Sequence, residues 1–260
     1  MYRTEIHNLL NSLTPIGLHE MDRVKLMDRV ETKYVFCADR LPELLNNVKG
    51  SYKALEIGEI RNFPYCTTYL DTSDFLFYSQ QVRGKLNRHK VRYRRYESTG
   101  VTYLEIKKKT NKKRTIKWRV ENLLKPDSPD TVAIQFIKKY LPDGFPDLHP
   151  VLINGFTRIT LMGNEYKERI TLDYDLTFAS PYGKISGFPF LAIAELKREK
   201  HSCVSPFGSV MKQMGIKSGS FSKYCIGSAL IMDMPRKNLL KPNLLLINKI
   251  ENEYFNSHRA

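Results

Sequence analysis

The sequence predicts an α+β protein built around a closed antiparallel β-barrel of about eight strands, a tunnel, with helices packed outside it. Strand-like segments recur along the chain, and each alternates charged and apolar residues with period two. Such alternation gives a strand one charged face and one apolar face. Several helix-like segments are available to cover the apolar faces, so the charged faces would line the interior.

The composition limits the classes of protein that the chain can form. A chain of 260 residues with 42% hydrophobic residues fits one large domain with a substantial core. Its net charge of +15 implies either strong self-repulsion or a polyanionic partner, which is nucleic acid, an anionic membrane or a phosphorylated small molecule. The four cysteines form no CxxC pair and are expected to be reduced. No signal peptide or membrane-length apolar stretch is recognisable, which predicts a soluble, cytoplasmic protein.

The first half of the chain is predicted to begin with a helical segment, residues 1–28, which Thr14-Pro15 interrupts. The elements expected after it are a strand over 29–36, a helix over 41–48, a strand over 67–72 and a helix over 75–81. Asp39 is the expected N-cap of the first of these helices, and Ser73 or Asp74 that of the second.

The second half is predicted to contain a three-stranded meander, a helix, three further strands and two closing helices. Their ranges are 89–97, 102–110 and 113–120 for the meander, 129–140 for the helix, 151–162, 167–178 and 190–199 for the strands, and 205–216 and 221–233 for the closing helices. One tunnel domain is expected over 1–235. Residues 236–260 are left as a C-terminal tail without assigned structure.

Rows of charged residues at i and i+2 share a face of each strand. The rows are Glu31 and Lys33; Lys90, Arg92 and Arg94; Glu105, Lys107 and Lys109; Arg169, Thr171 and Asp173; Glu195 and Lys197. A flat sheet would turn these rows toward water. The abundance of arginine and the repeated acid-x-Lys pattern favour an interior instead, where desolvated cations require an anion. Phosphate suits guanidinium and ammonium groups, and Mg²⁺ or Mn²⁺ would reconcile it with the glutamates. An internal salt bridge between Asp173 and Arg169 is also expected.

Seven short sequence strings also resemble a known protein family, in agreement with this interpretation. In chain order they are ETKYVF, TTYLDTSDFLFY, KVRYRRY, LEIKKK, RITLDYDL, AELK and FSKY. In this order they resemble the VTC (vacuolar transporter chaperone) polyphosphate polymerase domain, a member of the triphosphate tunnel metalloenzymes, alongside the CYTH phosphatases. The resemblance extends from about residue 22 to 232. It favours the VTC branch because the first strand contains ETKY rather than ExExK.

The resemblance implies roles for individual residues. Those matched to catalytic basic residues are Lys33, Arg92, Arg94, Lys107, Arg158 and Arg169. Those expected to bind phosphate are Lys90, Lys113, Arg114, Lys117, Lys197 and Lys223. Glu195 matches the metal-binding glutamate, and the expected ligand set for Mn²⁺ or Mg²⁺ is Glu195, Glu31 and Glu105. A second family lysine, three places before Lys223, is replaced by Ser220.

The function implied is transfer of the terminal phosphoryl group of ATP to a growing polyphosphate chain. A triphosphatase or tripolyphosphatase on the same barrel and a non-catalytic polyphosphate or inositol-phosphate sensor remain open. Specific nucleic-acid binding is not expected, because the cations alternate along strands and no zinc-finger, RRM or KH pattern is present. The expected partners are ATP and polyphosphate or triphosphate. A membrane protein that would hold the chain at the inner face of a membrane is a further expectation.

Overall fold

The computed structural model describes residues 2–23, 29–112, 114–122, 130–141, 148–181, 183–200 and 204–258. Lys113, predicted to bind phosphate, lies outside these residues. The cysteines within them, Cys37, Cys66 and Cys225, are free thiols, as expected. No helix in these ranges combines the length and hydrophobicity of a membrane span.

All eight predicted strands are present, together with four short ones that the sequence did not reveal. The strands are β1 (Pro15–Ile16), β2 (Arg29–Cys37), β3 (Tyr52–Leu55), β4 (Asn62–Asp71), β5 (Arg88–Tyr96), β6 (Thr102–Lys109), β7 (Thr115–Glu121), β8 (His149–Gly163), β9 (Glu168–Ala179), β10 (Ile185–Phe188), β11 (Leu191–Glu199) and β12 (Ser218–Gly219). The largest difference is at β4, which begins five residues before the predicted strand.

The helices agree with the prediction in number and order, and one more forms in the tail. They are α1 (Tyr2–Ser12), α2 (Leu18–Arg23), α3 (Leu41–Val48), α4 (Leu76–Val82), α5 (Thr131–Tyr140), α6 (Pro206–Gln213), α7 (Lys223–Ile231) and α8 (Lys241–Ser257). Short 3-10 helices precede α3 (Ala38–Arg40) and α8 (Lys237–Leu240).

The strands form one large sheet in the order β12-β2-β11-β9-β8-β4-β5-β6-β7. Neighbours along this path are antiparallel throughout, which confirms an α+β fold with an antiparallel sheet. Strands β3 and β10 pair with β8 and β9 beside the main path, and β1 pairs with β3. Within the described residues the two end strands, β7 and β12, do not pair with each other, so the sheet is not closed by hydrogen bonds there.

The outer face of the sheet is apolar and covered by helices. Helices α1, α3 and α6 bury one part of it in a cluster that includes Leu44, Leu172 and Phe207. Helix α5 covers β5 to β7, where the ring of Trp118 stacks on Tyr140 with 4.7 Å between centroids. This covering leaves the charged rows on the opposite face.

Helix α7 departs from the prediction that all helices pack outside. Leu152, Phe178 and Ile193 lie on the face that carries the charged rows, and they pack against Tyr224 and Ile226 of α7. That face therefore has an apolar part, which α7 fills, and a charged part. Helix α8 joins the same cluster through buried isoleucines on one side, so the tail packs on the domain.

The predicted helix caps were wrong. Asp39 lies within a 3-10 helix, and α3 begins without a side-chain cap. The first N–H groups of α4 donate to Asp71 and Thr72 at 2.8–2.9 Å, rather than to Ser73 or Asp74. The end of β4 therefore fixes the start of α4, because Asp71 is the last residue of β4 and its carboxylate accepts hydrogen bonds from the first turn of α4.

Candidate phosphate-binding site

The register of the sheet brings the predicted charged rows together on one face. Directly opposed pairs are Lys33 and Glu195, Glu31 and Lys197, Arg169 and Lys197, Arg92 and Glu105, Lys90 and Lys107, and Lys107 and Lys117. Residues opposed across antiparallel strands project from the same face. The sequence-derived rows are therefore parts of one continuous charged surface.

Much of this surface is buried, unlike the charged face of a flat, water-facing sheet. Arg92 and Arg94 are each 8% exposed, and Glu105 is fully buried. Asp173 is only 3% exposed. Ion pairs and ligands decide the energetics of charges at such depth, because burying an unpaired charge is costly.

Arg92, Glu105 and Lys117 form the first internal ion network. The Arg92 guanidinium contacts Glu105 Oε2 through Nε at 2.8 Å and Nη2 at 2.6 Å, and Lys117 pairs with the other oxygen. Burial alone would raise the pKa of Glu105, but Arg92, Arg94 and Lys117 outweigh it and hold that pKa well below its usual range. Glu105 is thus ionised and fully engaged with cations.

Arg158, Asp173 and Lys223 form the second network. Arg158 binds Asp173 in two-point fashion, at 2.6 and 2.7 Å, and Lys223 pairs with Asp173 Oδ2. Burial opposes ionisation of Asp173, yet Arg158 and Lys223 hold its pKa well below the usual range. The expected partner of Asp173, Arg169, was wrong, because the register of β8 and β9 sets Arg158 directly opposite Asp173.

Glu195 lies between two lysines on neighbouring positions of the sheet. Its Oε1 is 2.7 Å from Lys197 Nζ, and its Oε2 is 3.8 Å from Lys33 Nζ. Lys33 Nζ also donates to the carbonyl oxygen of Phe221 at 2.8 Å. Burial raises the pKa of Glu195, but Lys197 and Lys33 outweigh this effect and keep the carboxylate ionised.

Three further cations in the same interior have no carboxylate within salt-bridge distance among the described residues: Lys90, Arg94 and Lys107. Burial lowers the pKa of Lys90 to about 8. Burial and the neighbouring Arg92 and Arg158 lower the pKa of Arg94 to about 10. Lys107, facing Arg92 and partly desolvated, has a pKa well below its ordinary value. An anion would relieve all three.

The N-terminus of α7 completes the site, and sequence reasoning missed the residues that hold it there. Ser222 caps α7 and accepts a hydrogen bond from Lys90 Nζ at 3.3 Å. The Tyr224 hydroxyl donates to buried Asp71. These contacts direct Lys223 toward Asp173. The signal was the segment LDTSD, whose first aspartate, Asp71, received no role in the sequence analysis.

A cavity of about 1710 Å³ opens between the β2–β12 edge and the β6–β7 turn. Cationic side chains that line it include Lys33, Arg88, Lys109, Lys112 and Arg114. A smaller cavity of about 180 Å³ borders Lys90 and Lys107. Two of the three cations without carboxylate partners, Lys90 and Lys107, therefore adjoin open space that a ligand can occupy.

The three glutamates predicted to hold a metal are not brought together. In the described part of the chain no group of three or more His, Cys, Asp or Glu residues has metal-binding geometry. Glu105 does not fit the role, because Arg92 and Lys117 occupy both of its oxygens. Glu195 fits it better, since it is ionised and partly exposed, and Mg²⁺ commonly uses one or two carboxylates with phosphate oxygens.

The fold and the site define a protein with a basic interior formed by an antiparallel sheet. The VTC domain family matches residues 28–232, and the chain belongs to that family. This match confirms the resemblance seen in the seven strings.

Among solved structures, a candidate adenylate cyclase from Vibrio parahaemolyticus is similar, with 14% identity, a TM-score of 0.47, and coverage of 78% of this chain and 99% of that one. An adenylyl cyclase candidate from Hippeastrum, described as having a dominant triphosphatase activity, has 13% identity, a TM-score of 0.45, and coverage of 80% and 98%. No curated protein matches the chain.

Proposed function

We propose that this chain is a polyphosphate polymerase, which transfers the terminal phosphoryl group of ATP to a growing polyphosphate chain in its basic interior. The observation that carries the proposal is a row of cations without carboxylate partners, in which Arg94 is buried and Lys90 and Lys107 are half-buried. A condensed phosphate chain carries charge on every unit and neutralises such a row along its length. Membership of the VTC domain family supports phosphate as the ligand.

The reaction proposed is an in-line displacement. A terminal oxygen of the polyphosphate chain attacks the γ-phosphorus of ATP, and a new P–O bond forms. The bond from that phosphorus to the bridging oxygen of the β-phosphate breaks, and ADP leaves. Arg92, Arg94 and Lys107 would hold the oxygens of the transferring group, where fixed positive charge stabilises the transition state. Arg158 and Lys223 would extend this lining and are held in place by Asp173.

A divalent ion, Mn²⁺ or Mg²⁺, is part of the proposal. Glu195 would hold it, with Glu31 from the adjacent strand as the second carboxylate. When bound, such an ion supplies Lewis-acid neutralisation of phosphate oxygens. Lys33 and Lys197, which share Glu195 in the free protein, would then be available to contact phosphate.

The proposal also includes a closed tunnel of about eight strands. The free edges of the sheet border one cavity, since residues from β2, β12, β6 and β7 all line it. Closure there would exclude water, which competes with the chain end for the phosphoryl group. An open seam would favour hydrolysis instead.

Incubation of the purified protein with ATP and Mn²⁺ tests the proposal. Long polyphosphate chains on a gel are expected. Release of phosphate alone would contradict a polymerase and identify a triphosphatase or tripolyphosphatase, and tight binding without turnover would identify a sensor of polyphosphate or inositol phosphate. Arg94→Ala should abolish synthesis. Arg95→Ala, a matched control on the exposed opposite face of β5, should leave it intact.

The proposal extends to a membrane-protein partner that holds the chain at the inner, cytoplasmic face of a membrane. The net charge of +15 supports the location at this membrane face, because the cytoplasmic leaflet is anionic. Co-sedimentation of the tagged protein with cell membranes is expected. It should persist in about 0.5 M salt, roughly five times the ionic strength at which the Debye length is ~10 Å, only if a protein partner contributes. Loss of all membrane binding in salt would contradict the partner.

A further inference from the structure

An aromatic group lies beyond the cation rows, at the end of the interior away from Lys90. Tyr96 is the next interior-facing residue after Arg94 on β5, and Tyr103 precedes Glu105 on β6. Tyr65, on β4, is directly opposite Tyr96. We call these three side chains, Tyr65, Tyr96 and Tyr103, the tyrosine platform.

The rings of the tyrosine platform are in contact but not coplanar. The centroids of Tyr65 and Tyr96 are 4.9 Å apart, with an interplanar angle of 56°. Those of Tyr96 and Tyr103 are 5.9 Å apart, and the two rings meet nearly at a right angle, 83°. A flat ligand at such a corner would stack on one ring and contact the second ring with its edge.

The tyrosine platform is partly exposed, whereas the ring beneath it is buried. Tyr65 stacks on Phe156 with 5.3 Å between centroids and an angle of 1°, and Phe156 is only 4% exposed. Tyr65, Tyr96 and Tyr103 each retain access to solvent. Phe156 therefore serves as packing that supports the platform, and the tyrosines present the surface that a ligand can reach.

Guanidinium groups join the tyrosine platform to the phosphate-binding interior. Arg94 and Arg158 lie over the Tyr65 ring, at 5.6 and 5.3 Å from its centroid. Arg119 lies over Tyr103 at 4.7 Å. Aromatic rings and guanidinium planes are the groups on which nucleic acid bases stack in proteins, without a requirement for one base.

We propose that the tyrosine platform binds the base of a nucleoside triphosphate whose phosphates extend toward Arg94 and Lys107. This inference rests on the proposed function, and it assigns the nucleoside end of that substrate. Tyr96 and Arg94 are about 7 Å apart along β5, a separation that a ribose spans. An inorganic polyphosphate has no ring to stack, so the platform gives the site a means to distinguish the phosphoryl donor from the chain. Purine nucleotides are preferred, because a larger ring system stacks over more area.

Calorimetric titration with two probes tests the inference, because inorganic tripolyphosphate lacks only the nucleoside of ATP. The variants are Tyr96→Leu and Tyr103→Leu, which keep apolar bulk and remove the aromatic face. Each should raise the Kd for ATP about tenfold, the size expected for one lost stacking contact. The Kd for tripolyphosphate should change by less than about twofold, because no stacking contact is lost for a ligand without a ring.

Two controls separate stacking from other effects. Tyr96→Phe and Tyr103→Phe keep the ring and should restore ATP affinity. Tyr166→Leu alters an exposed tyrosine between β8 and β9 and should change neither Kd. Equal losses for ATP and tripolyphosphate, or no loss for either, would overturn the platform. If a leucine variant kept its ATP affinity and still made polyphosphate chains, the role of the tyrosine platform would be overturned and the polymerase function would stand. A wild-type protein that discriminates ATP through these tyrosines but makes no chains would overturn only the polymerase.

Discussion

Two groups of cations share the interior of the sheet and differ in their counter-charges. Arg158 and Lys223 are paired with buried Asp173, which keeps the pKa of Arg158 above its ordinary value although burial opposes this. Lys90 and Lys107 have no such carboxylate in the described chain, and their pKa values are lowered. Burial lowers the pKa of Lys223 too, despite its partner. It is therefore the buried counter-charge, rather than the pKa, which indicates that the paired cations are parts of the fold while the others remain available to the charge of a ligand.

The largest effect on stability is expected when Arg158 and Lys223 lose their shared carboxylate, Asp173. Asp173→Asn would leave Arg158 and Lys223 buried without a counter-charge. The free energy of unfolding should fall by roughly 3 kcal/mol, as for other buried ion pairs that lose one partner. Urea denaturation measures this change.

Glu199→Gln is the matched control for that prediction. Glu199 lies on the same sheet but is 42% exposed and pairs with the exposed Lys167 at 3.1 Å. Its loss should cost less than about 1 kcal/mol, as for other surface pairs. Equal costs for the two variants would mean that the Asp173 network is not a structural centre.

The opposite result is expected for a cation without a partner. Lys107→Gln removes a desolvated charge that faces Arg92, so the unliganded protein should become more stable, with a higher Tm. Affinity for tripolyphosphate should fall at least tenfold, because a charge-assisted contact to phosphate is lost. Thermal melting and calorimetry measure the two effects, and Lys108→Gln, on the opposite face of β6, should change neither. A Lys107 variant that is destabilised would place Lys107 in the paired group.

The pH dependence of stability sharpens the same contrast. The pKa of Lys90 falls from 10.5 to about 8 in the folded protein. Between these values the unfolded chain binds a proton that the folded chain has released, so stability should rise as the pH increases from about 8 to 10.5. Lys90→Met should flatten this rise relative to the wild type. Identical profiles of unfolding free energy would show that Lys90 is not desolvated.

A smaller effect distinguishes the two interior glutamates. Glu195→Gln should weaken Mn²⁺ binding in the presence of tripolyphosphate by about tenfold, the lower range for loss of a group that supports a metal site. Glu105→Gln should leave the Mn²⁺ affinity unchanged and lower stability, since Glu105 is fully engaged with Arg92 and Lys117. Electron paramagnetic resonance of free Mn²⁺ measures the binding. If both variants weakened Mn²⁺ binding equally, Glu105 would also be a metal ligand.

The sequence was sufficient to predict which charged residues share a face of a strand. It was insufficient to predict which residues of neighbouring strands form salt bridges. Period two placed Arg92 and Arg94 on one face because it needs only local geometry. The partner of Asp173 depends on the register between β8 and β9, which shifts at an irregularity between Gly155 and Thr157. Local patterns carry no information about that register, so Arg169 was chosen in place of Arg158.

The position of α7 illustrates a signal that was present but not used. Its residues are apolar around the whole circumference, and nearly all of them are buried. A helix that is hydrophobic on every side packs inside a protein rather than on its surface. The tail was harder to assign, because only Ile247 and Ile250 of α8 are buried, while the neighbouring Leu245 and Leu246 are exposed and blur the apolar face. Its docking depends on a surface that the rest of the chain must first build.

The central claim is that the basic interior binds an anion. The most direct test of it is a measurement of the pKa of the Lys107 side chain. NMR titration of the lysine side-chain carbons, assigned with Lys107→Arg, would give its pKa without and with inorganic tripolyphosphate. We predict a pKa of Lys107 well below 10.5 in the free protein and a rise toward that value when tripolyphosphate binds. An ordinary pKa in the free protein that tripolyphosphate leaves unchanged would contradict it.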